Sequence, residues 1–158
     1  MKKQAWKVYA LWIGLTEALG ALVGVLTRDG VKRYEAEAVK PALTPPGIVF
    51  PIAWALLYGL MGFSLARVRL KGLPRERRDA TLSYFVQLFF NLSWSVIFFS
   101  MRSYGVAFVW LAVLWLLAFR MTLSFSEADR PAAWLQTPYL AWLLFAGYLN
   151  YGVWLLNK

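Results

Sequence analysis

The chain has 158 residues, of which 60% are hydrophobic and 16% charged, with 17 Lys and Arg against 8 Asp and Glu. Soluble domains have about 45–50% apolar and about 25% charged residues, so this composition argues against a water-soluble fold. Cysteine and histidine are both absent. Their absence excludes disulfides, zinc–thiolate sites, Ser-His-Asp and Cys-His catalysis and His-ligated haem. We therefore expect no metal site and no resident cofactor.

Long stretches with few charges divide the sequence, and about 20 mostly apolar residues suffice for a membrane-spanning helix. Five such stretches predict an all-α membrane protein, a five-transmembrane-helix bundle that forms one domain over residues 1–158 and has the lipid bilayer as its surroundings. The predicted helices cover approximately residues 5–27, 45–67, 80–101, 104–125 and 132–156.

The distribution of cations predicts the orientation. Five spans place the termini on opposite sides, with 11 Lys and Arg on the N-terminal side and 6 on the other. The positive-inside rule then predicts a cytoplasmic N-terminus, with the C-terminus and loop 28–44 on the opposite side. Six cations lie between Arg67 and Asp79. We interpret them as facing lipid head groups, and we expect no nucleic-acid binding because no face combines them with a base-reading fold.

The first connection, loop 28–44, is long for a bundle, where helix–helix links usually have 2–8 residues. Long ordered links often serve as lids. Residues 31–40 contain helix formers and end before Pro41. They therefore predict a short surface helix within this lid.

The first predicted span contains one acidic residue, Glu17. A carboxyl group in mid-span costs about 2.5–3.5 kcal/mol on the insertion scale, so Glu17 should face the interior, protonated or paired with an amide. A proton relay is the functional alternative. Gly20 and Gly24 form a GxxxG pair that suits close helix contact.

The second predicted span opens with Pro45 and Pro46, which preorganise a first helical turn. Pro51 removes a backbone donor and predicts a kink. Trp54 and Tyr58, at i and i+4, would share one face just below it.

The third predicted span carries a polar and aromatic stripe. Gln87, Asn91 and Ser95 recur every four residues, with Trp94 and Phe98 beside them. Two interpretations stay open: the amides cross-link helices at about 0.6 kcal/mol per bond, or they line a ligand cavity.

The deeper tryptophans favour a pocket. Trp54, Trp94 and Trp142 lie away from the span ends, where interfacial tryptophans are usual, and they share faces with polar residues. Pro138 precedes Trp142 by four residues and predicts a second kink.

Four motifs, specific when taken together, indicate a known family. They are KPALTPPG at Lys40–Gly47, PIAWALLYGLMG at Pro51–Gly62, the third-helix set Gln87, Asn91, Trp94, Phe98 and Phe99, and PYLAWLLFAGYLNYGVW at Pro138–Trp154. On these motifs the chain resembles the TspO/MBR family of tryptophan-rich sensory proteins, which includes the mitochondrial translocator protein.

The resemblance implies a five-helix bundle, often a homodimer, with a pocket under the first loop for porphyrins and synthetic benzodiazepine-site ligands. Some bacterial members degrade protoporphyrin IX in light, and the tryptophans associated with that activity match Trp54 and Trp142, which would be catalytic only if the activity exists here. The implied ligand-binding set is Trp54, Tyr58, Gln87, Asn91, Trp94, Phe98, Trp142 and Ala146.

The chain departs from the family pattern at three places. Arg33 and Leu43 replace tryptophans of the first loop, so the aromatic part of the lid is depleted. Lys158 comes one residue too late to complete the sterol-type pattern that starts at Leu149, so sterol binding by that route is not supported.

We expect a membrane receptor or carrier for a tetrapyrrole, metal-free because the chain has neither His nor Cys, that acts in porphyrin handling and stress sensing. A flat ring with acidic edges suits indole faces, amides for its nitrogens and cations for its carboxylates. The candidate lid cations are Arg28, Lys32, Arg33 and Lys40, and simple solvation is their alternative role. The alternative functions are a tryptophan-dependent, light-driven porphyrin-degrading enzyme and a proton-coupled small-molecule transporter that uses Glu17.

Overall fold

The helices of the computed structural model, which describes residues 2–158, confirm the all-α prediction. Five segments are long and apolar enough to cross a membrane: Gln4–Leu26, Val49–Lys71, Pro74–Ser100, Tyr104–Ala128 and Arg130–Leu156. The helices in chain order are α1 (Lys2–Leu26), α2 (Arg28–Glu37), α3 (Val49–Lys71), α4 (Pro74–Ser95), a π-helical segment (Val96–Ser100), α5 (Tyr104–Ala128), α6 (Arg130–Trp134) and α7 (Thr137–Leu156). Residues 2–158 contain no strand.

The start of α3 differs from the prediction. The helix begins at Val49, so Pro45 and Pro46 precede it instead of forming its first turn. Pro51 then falls within the first turn, where the backbone N–H groups of any helix lack intrahelical partners. Pro51 therefore removes no helical hydrogen bond, and the predicted kink has no cause at this position.

The third span begins earlier than predicted, at Pro74 instead of residue 80. Proline suits the first position of a helix, and the Glu76 carboxylate accepts a hydrogen bond from the Leu73 N–H at 2.7 Å. The charged residues after Pro74 thus belong to the first turns of α4.

The fifth span consists of two helices, where the sequence predicted one over residues 132–156. Asp129 caps α6 by accepting a hydrogen bond from the Ala132 N–H at 3.2 Å. Pro138 is the second residue of α7, so it marks the start of a new helix and does not kink a continuous one.

Helix packing places the core between the spans. α1 packs mainly on α3, α4 on α5, and α5 on α7. At Gly62 a Cβ atom would lie within 3 Å of the backbone of Trp12 and Ile13, so only glycine lets α1 and α3 approach this closely. The largest fully buried apolar side chains include Met61, Leu65, Tyr84, Leu114, Phe125 and Tyr139.

An ion cluster around the buried Asp129 carboxylate joins the end of α3 to the α5–α6 junction, at the end of the bundle opposite α2. The Arg67 Nε and Lys71 Nζ atoms lie 2.6 and 3.1 Å from the two carboxylate oxygens of Asp129, whose side chain is only 6% exposed. Burial alone would raise the pKa of Asp129, but hydrogen bonds from Arg67 and Lys71 outweigh it and lower the pKa below its ordinary value of 3.8.

We predict that Asp129→Ala lowers the free energy of unfolding by about 3 kcal/mol, because it leaves two cations without their partner and removes the α6 cap. Thermal unfolding of detergent-solubilised protein measures this. Asp79→Ala is the matched control, since Asp79 is half exposed and its contact with Arg75 is 3.9 Å long.

The pH dependence separates the ion cluster from the cap. A carboxyl whose pKa is lowered on folding stabilises the protein fully above its unfolded pKa, and this stabilisation is lost as pH falls through the folded value. Acidification below about pH 4 should therefore reduce the difference in the free energy of unfolding between wild type and Asp129→Asn. A difference that stays constant from pH 7 to pH 3 would contradict a charge-based role.

Candidate functional site

A cavity of about 870 Å³ opens beneath α2, at one end of the bundle. Residues of α1, α3, α4 and α7 form its walls, and α2 with the following segment 38–48 covers it. We call α2 and residues 38–48 the lid. The residues that line the walls include Glu17, Trp54, Tyr58, Trp94, Phe98 and Ala146.

Two stacked aromatic pairs form flat wall surfaces. The rings of Trp54 and Tyr58 lie 5.4 Å apart at 29°, and those of Trp94 and Phe98 lie 5.1 Å apart at 27°. The Trp94 indole is fixed because its N–H donates to the Asn150 Oδ1 atom at 3.0 Å. The Trp54 N–H has no such partner within the described residues and lies on the wall as an unused donor.

A chain of hydrogen bonds below the cavity joins α3, α4 and α7. The Tyr58 hydroxyl donates to Asn91 Oδ1 at 2.7 Å, and the Asn91 amide donates to the Tyr139 hydroxyl at 2.8 Å. Tyr139 in turn donates to Gln87 Oε1 at 2.7 Å. Gln87 and Asn91 are almost fully buried, so this chain, which we call the amide–tyrosine chain, cross-links three helices at mid-depth.

The structure brings five of the eight residues of the predicted ligand-binding set together at the cavity. Trp54, Tyr58, Trp94, Phe98 and Ala146 line the cavity. Gln87, Asn91 and Trp142 do not line it. Both amides use their polar atoms within the protein, so their position supports the cross-linking interpretation over direct ligand contact.

Trp142 lies behind the cavity wall. Its ring meets Trp54 edge to face, with centroids 6.4 Å apart at 87°, and Phe50 at 6.0 Å. Its indole nitrogen is buried and has no hydrogen-bond partner within the part of the chain that the structure describes. Trp142 therefore supports Trp54 and is one aromatic ring removed from the cavity.

Glu17 lines the cavity, as its mid-span position required. Its carboxylate lies beside Gly59 of α3, and the described residues place no cation against it. Gly20, one turn along, accommodates the Tyr58 ring, whereas Gly24 faces open space. The close contact of the GxxxG pair thus uses Gly20 within this chain.

The lid is fixed to the bundle by polar contacts. Glu37 forms an ion pair of 2.8 Å with Arg102, which has a φ of 54° after the π-helical segment. Asn157 holds Val39 from both sides, accepting from its N–H at 2.9 Å and donating to its carbonyl at 2.8 Å. The Tyr148 hydroxyl donates to the Ala42 carbonyl at 2.8 Å.

Tyr34 is the buried anchor of α2. Its ring meets Phe98 and Phe99 at 5.3 and 5.4 Å, and the Lys40 ammonium lies 5.3 Å from its centroid. Burial, and repulsion from Tyr104 and Glu35, raise the pKa of Tyr34 to about 12. Tyr34 therefore stays protonated at neutral pH. The backbone of Phe99 fills the space where a Gly30 Cβ would lie, so α2 docks directly on the π-helical segment.

Cations lie at the mouth of the cavity. Arg28, Lys32 and Lys40 line it, together with Glu35. Arg33, predicted among them, lies outside the lining and donates from Nε to the Asp29 carbonyl at 3.4 Å. Leu43 is also outside the lining and is 80% exposed. Both positions that replace loop tryptophans of the family are thus away from the cavity surface.

Sequence reasoning missed several residues. Thr27, Thr44 and Phe50 line the cavity, and nothing in their local pattern distinguishes them from neighbouring loop and helix residues. Tyr139 and Asn150 could have been predicted from their spacing, because they share one face of α7 with Leu143 and Ala146 and that face is buried. Residues 2–158 contain no group of three or more potential metal ligands.

Comparison with known proteins agrees with this architecture. Residues 12–155 match the TspO/MBR family. The tryptophan-rich protein TspO of Chlorobaculum tepidum is 36% identical over 149 residues, which cover 94% of each chain. The translocator protein of Bos taurus is 34% identical over 154 residues, covering 96% of this chain and 91% of that protein.

A third relative, the tryptophan-rich sensory protein of Cereibacter sphaeroides, is 38% identical over 118 residues, covering 75% of this chain and 73% of its own. The family match includes residues of all five transmembrane segments and both stacked aromatic pairs of the cavity wall. The chain is a member of the TspO/MBR family, integral to the membrane and crossing it five times.

Proposed function

We propose that the protein is a membrane receptor or carrier for a metal-free tetrapyrrole such as protoporphyrin IX, and that it acts in porphyrin handling and stress sensing. The observation that carries this proposal is the cavity, whose walls are stacked aromatic rings and whose cations lie only at the mouth. The same walls would accept benzodiazepine-site ligands, which are also flat and apolar.

The size and surface of the cavity suit such a ligand. Small-molecule sites usually occupy about 300–1,000 Å³ and are mostly apolar with a few placed polar groups, and this cavity measures about 870 Å³. The stacked pairs that contain Trp54 and Trp94 offer flat faces to a planar ring. Aromatic contacts of this kind contribute about 0.5–1.5 kcal/mol beyond the area they bury.

The polar groups of the cavity suit the two parts of a porphyrin. Arg28 and Lys32 extend from α2 at the mouth, where they can bind the propionate carboxylates by charge-assisted hydrogen bonds. At the inner wall the Glu17 carboxyl is an acceptor for pyrrole N–H groups. We assign to Glu17 the polar contact that was predicted for Gln87 and Asn91, because the polar atoms of both amides are already used within the protein.

Two further properties rest on family membership and composition. We infer a homodimer, because members of this family often form one and α1 leaves most of its surface unburied. We also infer that the N-terminus is cytoplasmic. Cations concentrate between Arg67 and Arg78, in a connection that lies on the same side of the membrane as the N-terminus, and such cations favour the cytoplasmic side.

The wall can be tested with Trp54→Ala. Removing this indole should weaken protoporphyrin IX binding about tenfold or more, because a stacking face and its apolar area are lost. Titration followed by porphyrin fluorescence measures the dissociation constant. Trp134→Ala is the matched control, since Trp134 is 75% exposed and does not line the cavity. Equal affinity in Trp54→Ala and wild type would reject the cavity as the porphyrin site.

The mouth offers a sharper comparison within one helix. Lys32→Gln should weaken protoporphyrin IX binding about threefold to tenfold, through loss of a charge-assisted hydrogen bond. Arg33→Gln, the adjacent residue outside the lining, should leave binding unchanged. The porphyrin dimethyl ester lacks carboxylates and should bind both variants and wild type alike. If the two substitutions act equally on the free acid, Lys32 does not contact a propionate.

A second candidate function is light-driven porphyrin degradation, and the contact between Trp54 and Trp142 favours it. Light would excite the bound ring, and an indole would transfer one electron to it. Dioxygen would then add across one C=C bond at a bridging carbon and cleave it to two carbonyl groups, and the electron would return to the oxidised indole. Trp54 lies on the wall and Trp142 is in ring contact behind it, so the two indoles form a path leading away from the ligand.

We predict that illumination of the aerobic complex gives a bilin-like absorption band that is lost in Trp54→Phe and reduced in Trp142→Phe, because phenylalanine is much harder to oxidise than indole. Trp134→Phe should leave the band intact. If the wild-type protein binds the porphyrin but gives no new band, the degradation activity is rejected and only the receptor function is supported.

A further inference from the structure

A second groove lies between α4 and α5, at the end of the bundle opposite the lid, and has a volume of about 490 Å³. Its apolar part includes Leu82, Val86, Leu117 and Leu123. Its charged residues are Arg75, Glu76, Asp79, Arg120 and Glu127. We call it the α4–α5 groove. It is separate from the ligand cavity and shares no lining residue with it.

The charge of this groove is opposite to that of the chain. The protein has a net charge of +9 and only 8 acidic residues, yet three of them line this one groove with two arginines. The carboxylates lie beside the most basic part of the sequence, residues 67–78. A purely anionic ligand would meet three negative charges here, so the groove calls for a ligand with charges of both signs.

Two of these charges lack protein partners. Arg120 and Glu127 are exposed, and neither side chain forms an ion pair or hydrogen bond within residues 2–158. They are seven residues apart, so they lie on the same face of α5 about 10 Å apart along the axis. Between them Ser124 lies 3.4 Å from Ser83 of α4, hydroxyl to hydroxyl. The Arg75–Asp79 contact is long, at 3.9 Å, and exposed.

The position of these residues on α5 places them at the membrane surface. α5 has 25 residues and is therefore about 37 Å long, longer than the hydrocarbon core of about 30 Å. Glu127 is next to the last residue and lies at head-group level. Arg120 is about 10 Å further in, from where its long side chain reaches the head groups. An arginine that faces lipid without a protein anion is costly unless a lipid phosphate binds it.

An apolar path continues from the groove into the bilayer. Val86 and Leu117 lie on its inner side. One turn further on α4 and two turns further on α5, the rings of Phe90 and Trp110 stack with centroids 4.3 Å apart at 20°. The Trp110 N–H donates to Ser93 at 3.0 Å, so this pair is fixed. An acyl chain has a continuous surface from the charged groups to this aromatic pair.

We propose that the α4–α5 groove binds one phospholipid whose head group carries a primary ammonium, namely phosphatidylethanolamine. Arg120 binds the phosphate, and Glu127 and Asp79, which lie nearer the membrane surface, accept hydrogen bonds from the ammonium. Choline has no N–H to donate, so phosphatidylcholine makes only the phosphate contact. The glycerol head group carries no positive charge, so the carboxylates of the groove repel the anionic phosphatidylglycerol.

The proposal is tested on the full-length protein by native mass spectrometry, in competition among phosphatidylethanolamine, phosphatidylcholine and phosphatidylglycerol with identical acyl chains. Wild type should retain one phosphatidylethanolamine at least fivefold more than either competitor. Arg120→Gln should lower retention of all three lipids. Glu127→Gln should remove the preference for ethanolamine over choline while phosphate-dependent retention persists.

Two exposed residues outside the groove are the matched controls. Arg78→Gln, on α4, and Asp29→Asn, on α2, should leave the lipid preference as in wild type. Because the substituted and the control residues are all exposed, the melting temperatures of the four variants should remain close to that of wild type. Equal retention of ethanolamine and choline lipids by wild type, a preference for phosphatidylglycerol, or an unchanged preference in Glu127→Gln would each overturn the proposal.

Discussion

The amide–tyrosine chain is the interaction on which the geometry of the site depends. Inside a bilayer each buried polar group needs a partner in the protein, because no water is present to replace it. Tyr58, Asn91, Tyr139 and Gln87 satisfy one another in series and come from three different helices. This chain fixes the spacing of α3, α4 and α7 below the cavity. It also commits the Tyr58 hydroxyl, and with it the ring on which Trp54 stacks.

Because these hydrogen bonds occupy the polar atoms of the chain, polar groups at different depths of the bundle have different roles. The polar atoms at mid-depth hold the helices, so a ligand in the cavity would contact only the wall and the mouth. The wall acts through shape and aromatic faces, which are fixed by Asn150 behind Trp94 and by Trp142 behind Trp54. The mouth carries positive charge on the Arg28 and Lys32 side chains of α2. A ligand that matches this site therefore needs a rigid, flat, apolar body and an anionic edge.

The sequence predicts the spans well and the site only in part, for physical reasons. Span number follows from the spacing of charges, since a charge within lipid is costly wherever the helix packs. The four-residue spacing of Gln87 and Asn91 shows that they share a helical face. It does not show that Tyr58 and Tyr139, 33 and 52 residues distant from Asn91 and Gln87, occupy that face. The start of α6 likewise depends on Asp129, which caps that helix and whose carboxylate is held by α3.

The lid shows how this chain closes its cavity without the loop tryptophans of its family. Arg33 and Leu43, at those positions, point away from the lining, so the closure cannot depend on indole packing there. Polar contacts replace it: Asn157 holds the backbone of Val39 as a strand neighbour would, and Arg102 pairs with Glu37. Backbone hydrogen bonds of this kind tolerate side-chain change in the segment they hold. The lid is therefore held through the Val39 backbone and the Tyr34 anchor, independently of the side chains at positions 33 and 43.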